Sequence, residues 1–226
     1  MFKMFRIWIY LNFKNFIKSC FSLGKDKNPE QYVAKELLKQ SKKKYFTLFS
    51  QCRVAFYFVL KFLKKEKSKN EIIFCAYNLP EMINIAINLN LKIKFCDLNY
   101  STGTIDYKQL KKTITNKTLA VVHTNMFNSY EDIIKIKNLT KKNKICLIED
   151  NAIYFDNYIR IKGKKIFSGS IGDFSIYSFN IMKNISSFYG GACTTNNKEF
   201  LEFFYKEEAK LNRFPKLALY KQIFTY

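Results

Sequence analysis

Apolar and polar positions follow two rhythms along this chain, and the rhythm changes near residue 50. Beyond that point short apolar runs recur between longer segments with helical spacing. Glu71–Cys75, Lys92–Cys96, Thr118–Val122, Lys144–Ile148, Phe174–Tyr177 and Ala192–Thr195 have the length and composition of strands. Val54–Lys64, Pro80–Asn88, Asp106–Thr113, Tyr130–Lys141 and Lys198–Leu211 have the spacing of helices. Strands and helices of these lengths in alternation need crossover connections. The pattern therefore predicts an α/β fold with a mostly parallel sheet, and in such sheets ligands bind beyond the carboxyl ends of the strands.

Before residue 45 the pattern predicts helices alone. A leader helix is expected over residues 3–20, a polar break at Gly24–Pro29, and a second helix over residues 30–43. On a helical wheel Lys3, Arg6, Lys14 and Lys18 fall within an arc of about 120°, with Phe2, Phe5, Ile9, Phe13 and Phe16 mainly elsewhere. Two readings stay open. A basic, aromatic helix without acids suits a membrane interface, which would put residues 1–20 against a membrane surface. An amphipathic helix packed on its own domain, or on a second copy of the chain, has the same pattern. No apolar stretch reaches the roughly 18 residues of a membrane span.

Composition modifies this picture in two ways. The formal net charge is +21, a balance that suggests anionic partners. Lys, Asn, Ile, Phe and Tyr are all abundant while Gly, Pro and Trp are scarce. That is the imprint of an AT-rich genome, so codon bias accounts for much of the lysine and no specific nucleic-acid partner is expected. The six cysteines, Cys20, Cys52, Cys75, Cys96, Cys146 and Cys193, include no C-x-x-C pair, and four lie in apolar runs. They read as buried thiols in a reducing compartment, so the cytoplasm is the expected location, with the inner membrane surface tied to the first reading of residues 1–20. Together with the single His123 they form no zinc pattern, and no metal is expected.

The candidate chemistry lies in Asp150 and Lys183, 33 residues apart (183 − 150). A carboxylate closing an apolar strand and a lysine on a later turn are what a pyridoxal phosphate (PLP) enzyme requires: the acid keeps the pyridine nitrogen protonated and the amine forms the Schiff base. Singly, each residue has an ordinary explanation. Asp150 could cap a helix, Lys183 could be one surface lysine among many, and Gly190-Gly191 could be a plain turn.

Together they are more specific. Leu147-Ile-Glu-Asp-Asn-Ala152, Gly169-Ser-Ile-Gly-Asp173, Ser178-Phe-Asn-Ile-Met-Lys-Asn184 and Gly190-Gly191 occur in order. In this arrangement the chain resembles the DegT/DnrJ/StrS-type sugar aminotransferases, fold-type-I PLP enzymes, over residues 45–212. The resemblance implies a three-layer α/β/α large domain with a mostly parallel mixed sheet. It implies that Lys183 is the catalytic lysine that holds PLP and shuttles the proton, that Asp150 pairs with the pyridine nitrogen, and that Ser178 binds the cofactor phosphate. Gln51-Cys-Arg-Val-Ala55 matches the family's phosphate-binding helix start, so Cys52, Arg53 and Val54 are further cofactor-binding candidates. Lys183 also sets the chain apart from the dehydrase branch, in which histidine replaces lysine.

Departures accompany the match. Ile153 stands where a Gln or His usually meets the cofactor's phenolic oxygen, and Leu79 where an aromatic ring often stacks on the pyridine. Cys75 and Cys52 replace a proline and a glycine, and Phe188-Tyr189 replaces the usual Gly-Glu. Family members also carry a further small C-terminal domain. The expected organisation is thus an N-terminal amphipathic helical segment (1–44), a PLP-binding large domain (45–212) and the start of a truncated C-terminal segment (213–226). By resemblance the expected activity is transfer of an amino group from a donor such as glutamate to a keto-sugar nucleotide for surface polysaccharide synthesis, in a homodimer. The alternatives are a non-catalytic relative acting as a binding or assembly module, and a basic membrane-surface or nucleic-acid-associated protein.

Overall fold

The computed structural model describes residues 14, 17, 29–126, 130, 132–153, 158–180, 183 and 189–211. The expected leader helix lies outside these residues except for Lys14 and Ile17, both helical, and the segment 213–226 lies outside them altogether.

Helix α1 (Pro29–Ser41) leads into strand β1 (Tyr45–Phe49), and helix α2 (Cys52–Leu63) follows directly. Then β2 (Glu71–Cys75), α3 (Pro80–Asn88), β3 (Lys92–Cys96), α4 (Tyr107–Thr113), β4 (Thr118–Thr124), α5 (Ile133–Lys142) and β5 (Cys146–Asn151) alternate. A hairpin of β6 (Tyr158–Ile161) and β7 (Lys164–Phe167) precedes β8 (Phe174–Ser178), β9 (Gly191–Thr195) and α6 (Lys198–Glu208). Seven strands form one sheet in the order β1-β9-β8-β5-β4-β2-β3. The β3, β2, β4, β5 and β8 neighbours run parallel, whereas β9 is antiparallel to both β8 and β1. The sheet is therefore mixed and mostly parallel.

Side chains alternate across this sheet, and consecutive residues enter different cores. Ile72, Val122, Ile148 and Ile176 pack with Phe56, Val59 and Phe200 under α2, α3 and α6. Ile73, Val121 and Leu147 pack with Leu110, Ile133 and Ile136 under α4 and α5. Helices on both faces make three layers, α/β/α. The first core is the more aromatic: Phe62, Phe174 and Phe200 meet with centroids 5.0–6.2 Å apart. Burial of each such ring contributes about 1.5–3 kcal/mol. Leu37 of α1 is buried with Tyr177, Phe179 and Ala192, so α1 is part of the packed unit.

Three elements differ from the sequence expectation. β1 was not anticipated; it is an edge strand whose residues are half-covered in alternation. The β6–β7 hairpin was also not anticipated. It turns at Lys162 and Gly163, both with positive φ (48° and 77°), as a two-residue hairpin turn requires. Helix α5 starts at Ile133 rather than Tyr130, because Asp132 adopts a left-handed conformation just before it.

Candidate active site

Two acids stand side by side at the carboxyl end of β5, Glu149 and Asp150. Asp150 is still inside the strand, as its penultimate residue, rather than just past it. The pleat sends the two side chains to opposite faces.

Glu149 joins Leu147 on the α4–α5 face and is fully buried. Its Oε2 accepts from Gly169 N (2.7 Å) and from the hydroxyl of Tyr130. Its Oε1 accepts from Ile171 N (2.8 Å) and from Gly172 N. This carboxylate thus gathers three backbone amides of the Gly169–Asp173 loop onto β5. The loop is fastened again through Asp173, which accepts from Leu147 N (2.8 Å) and pairs with Lys137 (2.5 Å), and through Lys43 Nζ, which donates to Gly172 O (2.5 Å). Burial, the largest influence on Lys43, lowers its pKa. A Cβ on Gly172 would lie 2.9 Å from Glu149 Cγ and 2.9 Å from Phe174 O, so the closeness of this packing requires glycine. His123, beside Glu149 in the ladder, faces the same side. Its ring is fully buried with neither nitrogen hydrogen-bonded among the described residues, and burial pushes its pKa down to about 4 against the opposing pull of Asn125 and Asp132.

Asp150 shares the other face with Ile148 and lies under the start of α2. It is buried, yet among the described residues its carboxylate accepts a single hydrogen bond, from Ala152 N at 3.0 Å. Burial raises its pKa, while Ala152 N and the charge of Lys183 pull it down. The Cys52 thiol is pushed well up, by burial first and then by Asp150, with Lys183 and Arg53 acting in the opposite sense. The structure therefore brings Asp150 and Lys183 within electrostatic reach of each other and of Cys52, the chain neighbour of Arg53. Lys183 is half-buried, and its backbone N donates to Asn180 O (2.9 Å).

The start of α2 forms the adjoining wall. Its N-cap, Gln51, is extended and makes no side-chain cap, and the first turn contains no acid. The positive end of the helix is thus left to whatever lies in front of it. Arg53 is exposed there. Val54 turns its amide back to Gln51 O (3.1 Å), and its side chain lines a separate cavity of about 1000 Å³ with Phe46, Leu48, Phe58 and Phe204; Asp150 and Lys183 take no part in that cavity. Gly191 lets β9 approach this helix start, since a Cβ there would fall 2.3 Å from Cys52 N. Its ladder partner is Ser178, half-buried at the end of β8.

Thr124 and Asn78 carry no recognisable signal in the sequence. Thr124 is the ladder partner of Asp150, and Asn78 Nδ2 donates to Thr124 Oγ1 at 3.1 Å. Only the strand register, which no local pattern reveals, puts them beside Asp150. Among the other expected positions, Ile153 is half-buried, whereas Leu79 is exposed as the N-cap of α3.

Chemically, the arrangement offers an under-bonded buried carboxylate, an amine near it, and an uncapped helix start with an arginine. A group with a cationic ring nitrogen, an aldehyde and a phosphate fits these three features, and PLP is such a group.

The profile of the DegT/DnrJ/EryC1/StrS aminotransferase family matches residues 21–208. The UDP-4-amino-4,6-dideoxy-N-acetyl-beta-L-altrosamine transaminase of Campylobacter jejuni is 34% identical over 52% of this chain and 31% of its own length. The GDP-perosamine synthase of Escherichia coli O157:H7 is 26% identical over 82% of this chain and 50% of its own. The fold of an E. coli GDP-4-keto-6-deoxy-D-mannose-3-dehydratase, solved with bound hydrated PLP, superposes with a TM-score of 0.76 at 19% identity, over 90% of this chain and 54% of that one. The chain thus spans about half, or less, of the length of these relatives, and its fold is that of the large domain of fold-type-I PLP enzymes.

Proposed function

Because the chain belongs to the DegT/DnrJ/EryC1/StrS aminotransferase family, we propose that it binds PLP and transfers an amino group from an amino acid such as glutamate to a keto-sugar nucleotide. The observation that carries this reading is the convergence of Asp150, Lys183 and the uncapped start of α2 at one end of the sheet. When bound, PLP supplies an electron sink for the bonds at the amino-bearing carbon. Lys183 Nζ would be the covalent anchor and would carry the proton between the donor carbon and the C4′ carbon of the cofactor. The Asp150 carboxylate holds a proton on the ring nitrogen. Its burial with one hydrogen bond among the described residues supports this role, because a cationic partner relieves the cost of the buried charge. Ser178 Oγ, the Arg53 guanidinium and the helix start at Cys52 hold the phosphate, whereas the Val54 amide is already taken by Gln51 O.

In this reading residues 45–212 form the cofactor-binding unit and a second copy of the chain borders the site. The retained lysine favours amino transfer over the dehydratase chemistry of some relatives. The products would serve surface polysaccharide synthesis in the cytoplasm; among the described residues no helix is long and apolar enough to cross a membrane.

The test is spectroscopic. Full-length protein mixed with PLP is expected to show the visible band of a lysine-bound cofactor, and borohydride is expected to fix the cofactor on Lys183. Lys183→Ala removes both signals. A wild-type protein with neither signal sinks the reading.

A further inference from the structure

We propose that Thr124, oriented by Asn78, forms a subsite for the phenolate oxygen of the cofactor. The inference rests on the PLP reading above and deepens it. Thr124 and Asp150 are partners in the parallel ladder between β4 and β5, so their side chains leave the same face about one strand spacing, ~4.8 Å, apart. Thr124 is almost fully covered. Its Oγ1 accepts from Asn78 Nδ2 (3.1 Å), while Asn78 Oδ1 accepts from Leu79 N (2.8 Å). The Asn78 amide is thereby fixed with its donor side towards Thr124. Because a lone pair of Oγ1 is taken, the hydroxyl proton of Thr124 is left to point elsewhere, and among the described residues it has no acceptor. It is an oriented donor in a buried place, beside a carboxylate, awaiting an acceptor.

The strand order says which acceptor. The elements that suit a phosphate are the start of α2, which packs on β9, and Ser178 at the end of β8; both lie on one side of β5. On the other side of β5 stand β4 with Thr124 and, beyond it, β2 with Asn78 after its end. On the pyridine ring the phosphate arm and the phenolic oxygen are attached on opposite sides of the aldehyde-bearing carbon. With the nitrogen at Asp150 and the phosphate towards β8 and β9, the phenolic edge faces β4. A phenolate there requires a donor. Ile153, half-buried after β5, has no side-chain donor, and Thr124 does.

A hydrogen bond to a phenolate stabilises the anion and lowers the pH at which the lysine-bound cofactor loses its proton. The experiment titrates the visible band of PLP-loaded full-length protein with pH. Thr124→Val is expected to raise the midpoint by about one unit, the size of one lost charge-assisted hydrogen bond. Thr124→Ser, which keeps the hydroxyl, is expected to titrate like wild type. Asn78→Ala, a loop change that leaves β4 intact, is expected to shift the midpoint in the same direction by less, and it decides the matter if Thr124→Val does not fold. A normal band with identical midpoints in wild type, Thr124→Val and Asn78→Ala overturns the subsite alone. Absence of the band in wild type overturns the PLP reading and the subsite with it.

Discussion

Glu149 and Asp150 are consecutive, equally hidden and of the same chemical type, yet the protein treats them in opposite ways. Glu149 is surrounded by donors: three loop amides and a tyrosine hydroxyl. Among the described residues Asp150 has one, from its own turn. A buried carboxylate supplied with four donors holds structure together, and one supplied with a single donor costs stability. One face of β5 is therefore scaffold. The other carries a buried carboxylate with little support among the described residues, which a cationic partner would offset under the proposed function.

The contrast can be broken from either side. The largest effect is expected for Glu149→Gln. The amide nitrogen can accept from neither of the two donors that reach the oxygen it replaces, so the change should cost about 4 kcal/mol in urea unfolding. If the cost is under 1 kcal/mol, Glu149 is not the staple described here. Acid should act on the same face through His123. Its folded pKa of about 4 lies below the ordinary 6.5, so the unfolded chain binds the proton more readily. The associated stability is fully present above pH 6.5 and is lost as the pH falls through about 4, amounting to about 3 kcal/mol in all. A His123→Gln protein should lack this part of the pH dependence; an unchanged profile would refute the assignment. Gly172→Ala should cost about 2 kcal/mol by pressing a methyl against Glu149 Cγ and Phe174 O. The smallest effect has the reverse sign. Asp150→Asn removes an under-bonded buried charge and should stabilise the cofactor-free protein by about 1 kcal/mol at neutral pH. A loss of stability instead would mean that Asp150 is scaffold too.

Much of this was legible in the chain, for physical reasons. β2, α3 and β3 fall at their expected bounds: Pro80 opens α3, Asn90 turns the chain after it with a positive φ (54°), and Asp97 follows the end of β3. The edge strand β1 was missed because Tyr45-Phe-Thr-Leu-Phe49 is short and follows a lysine cluster that reads as a solvated helix end. The β6–β7 hairpin was missed because Lys162-Gly163 is a weaker turn signal than Asn-Gly and the strands are mostly exposed. At the site, Asp150 and Lys183 could be proposed from residue type and order, and the start of α2 only from the family resemblance. The role of Glu149 could not, since its donors come from residue 130 and residues 169–172. Nor could that of Thr124, which is tied to Asp150 only by strand register. Glycines 172 and 191 were visible as motif letters, but their reason, contact with Glu149 and with Cys52 N, is tertiary.

The division of labour between the two acids is tested most directly by measuring how much saturating PLP raises the unfolding midpoint of wild type and of Asp150→Asn. A ligand that binds only the folded state at about a hundred times its dissociation constant adds about 2.7 kcal/mol. The account predicts a gain of this order for wild type and little or none for Asp150→Asn, whose cofactor-free form starts out the more stable of the two. Equal PLP-induced gains in both proteins would contradict it.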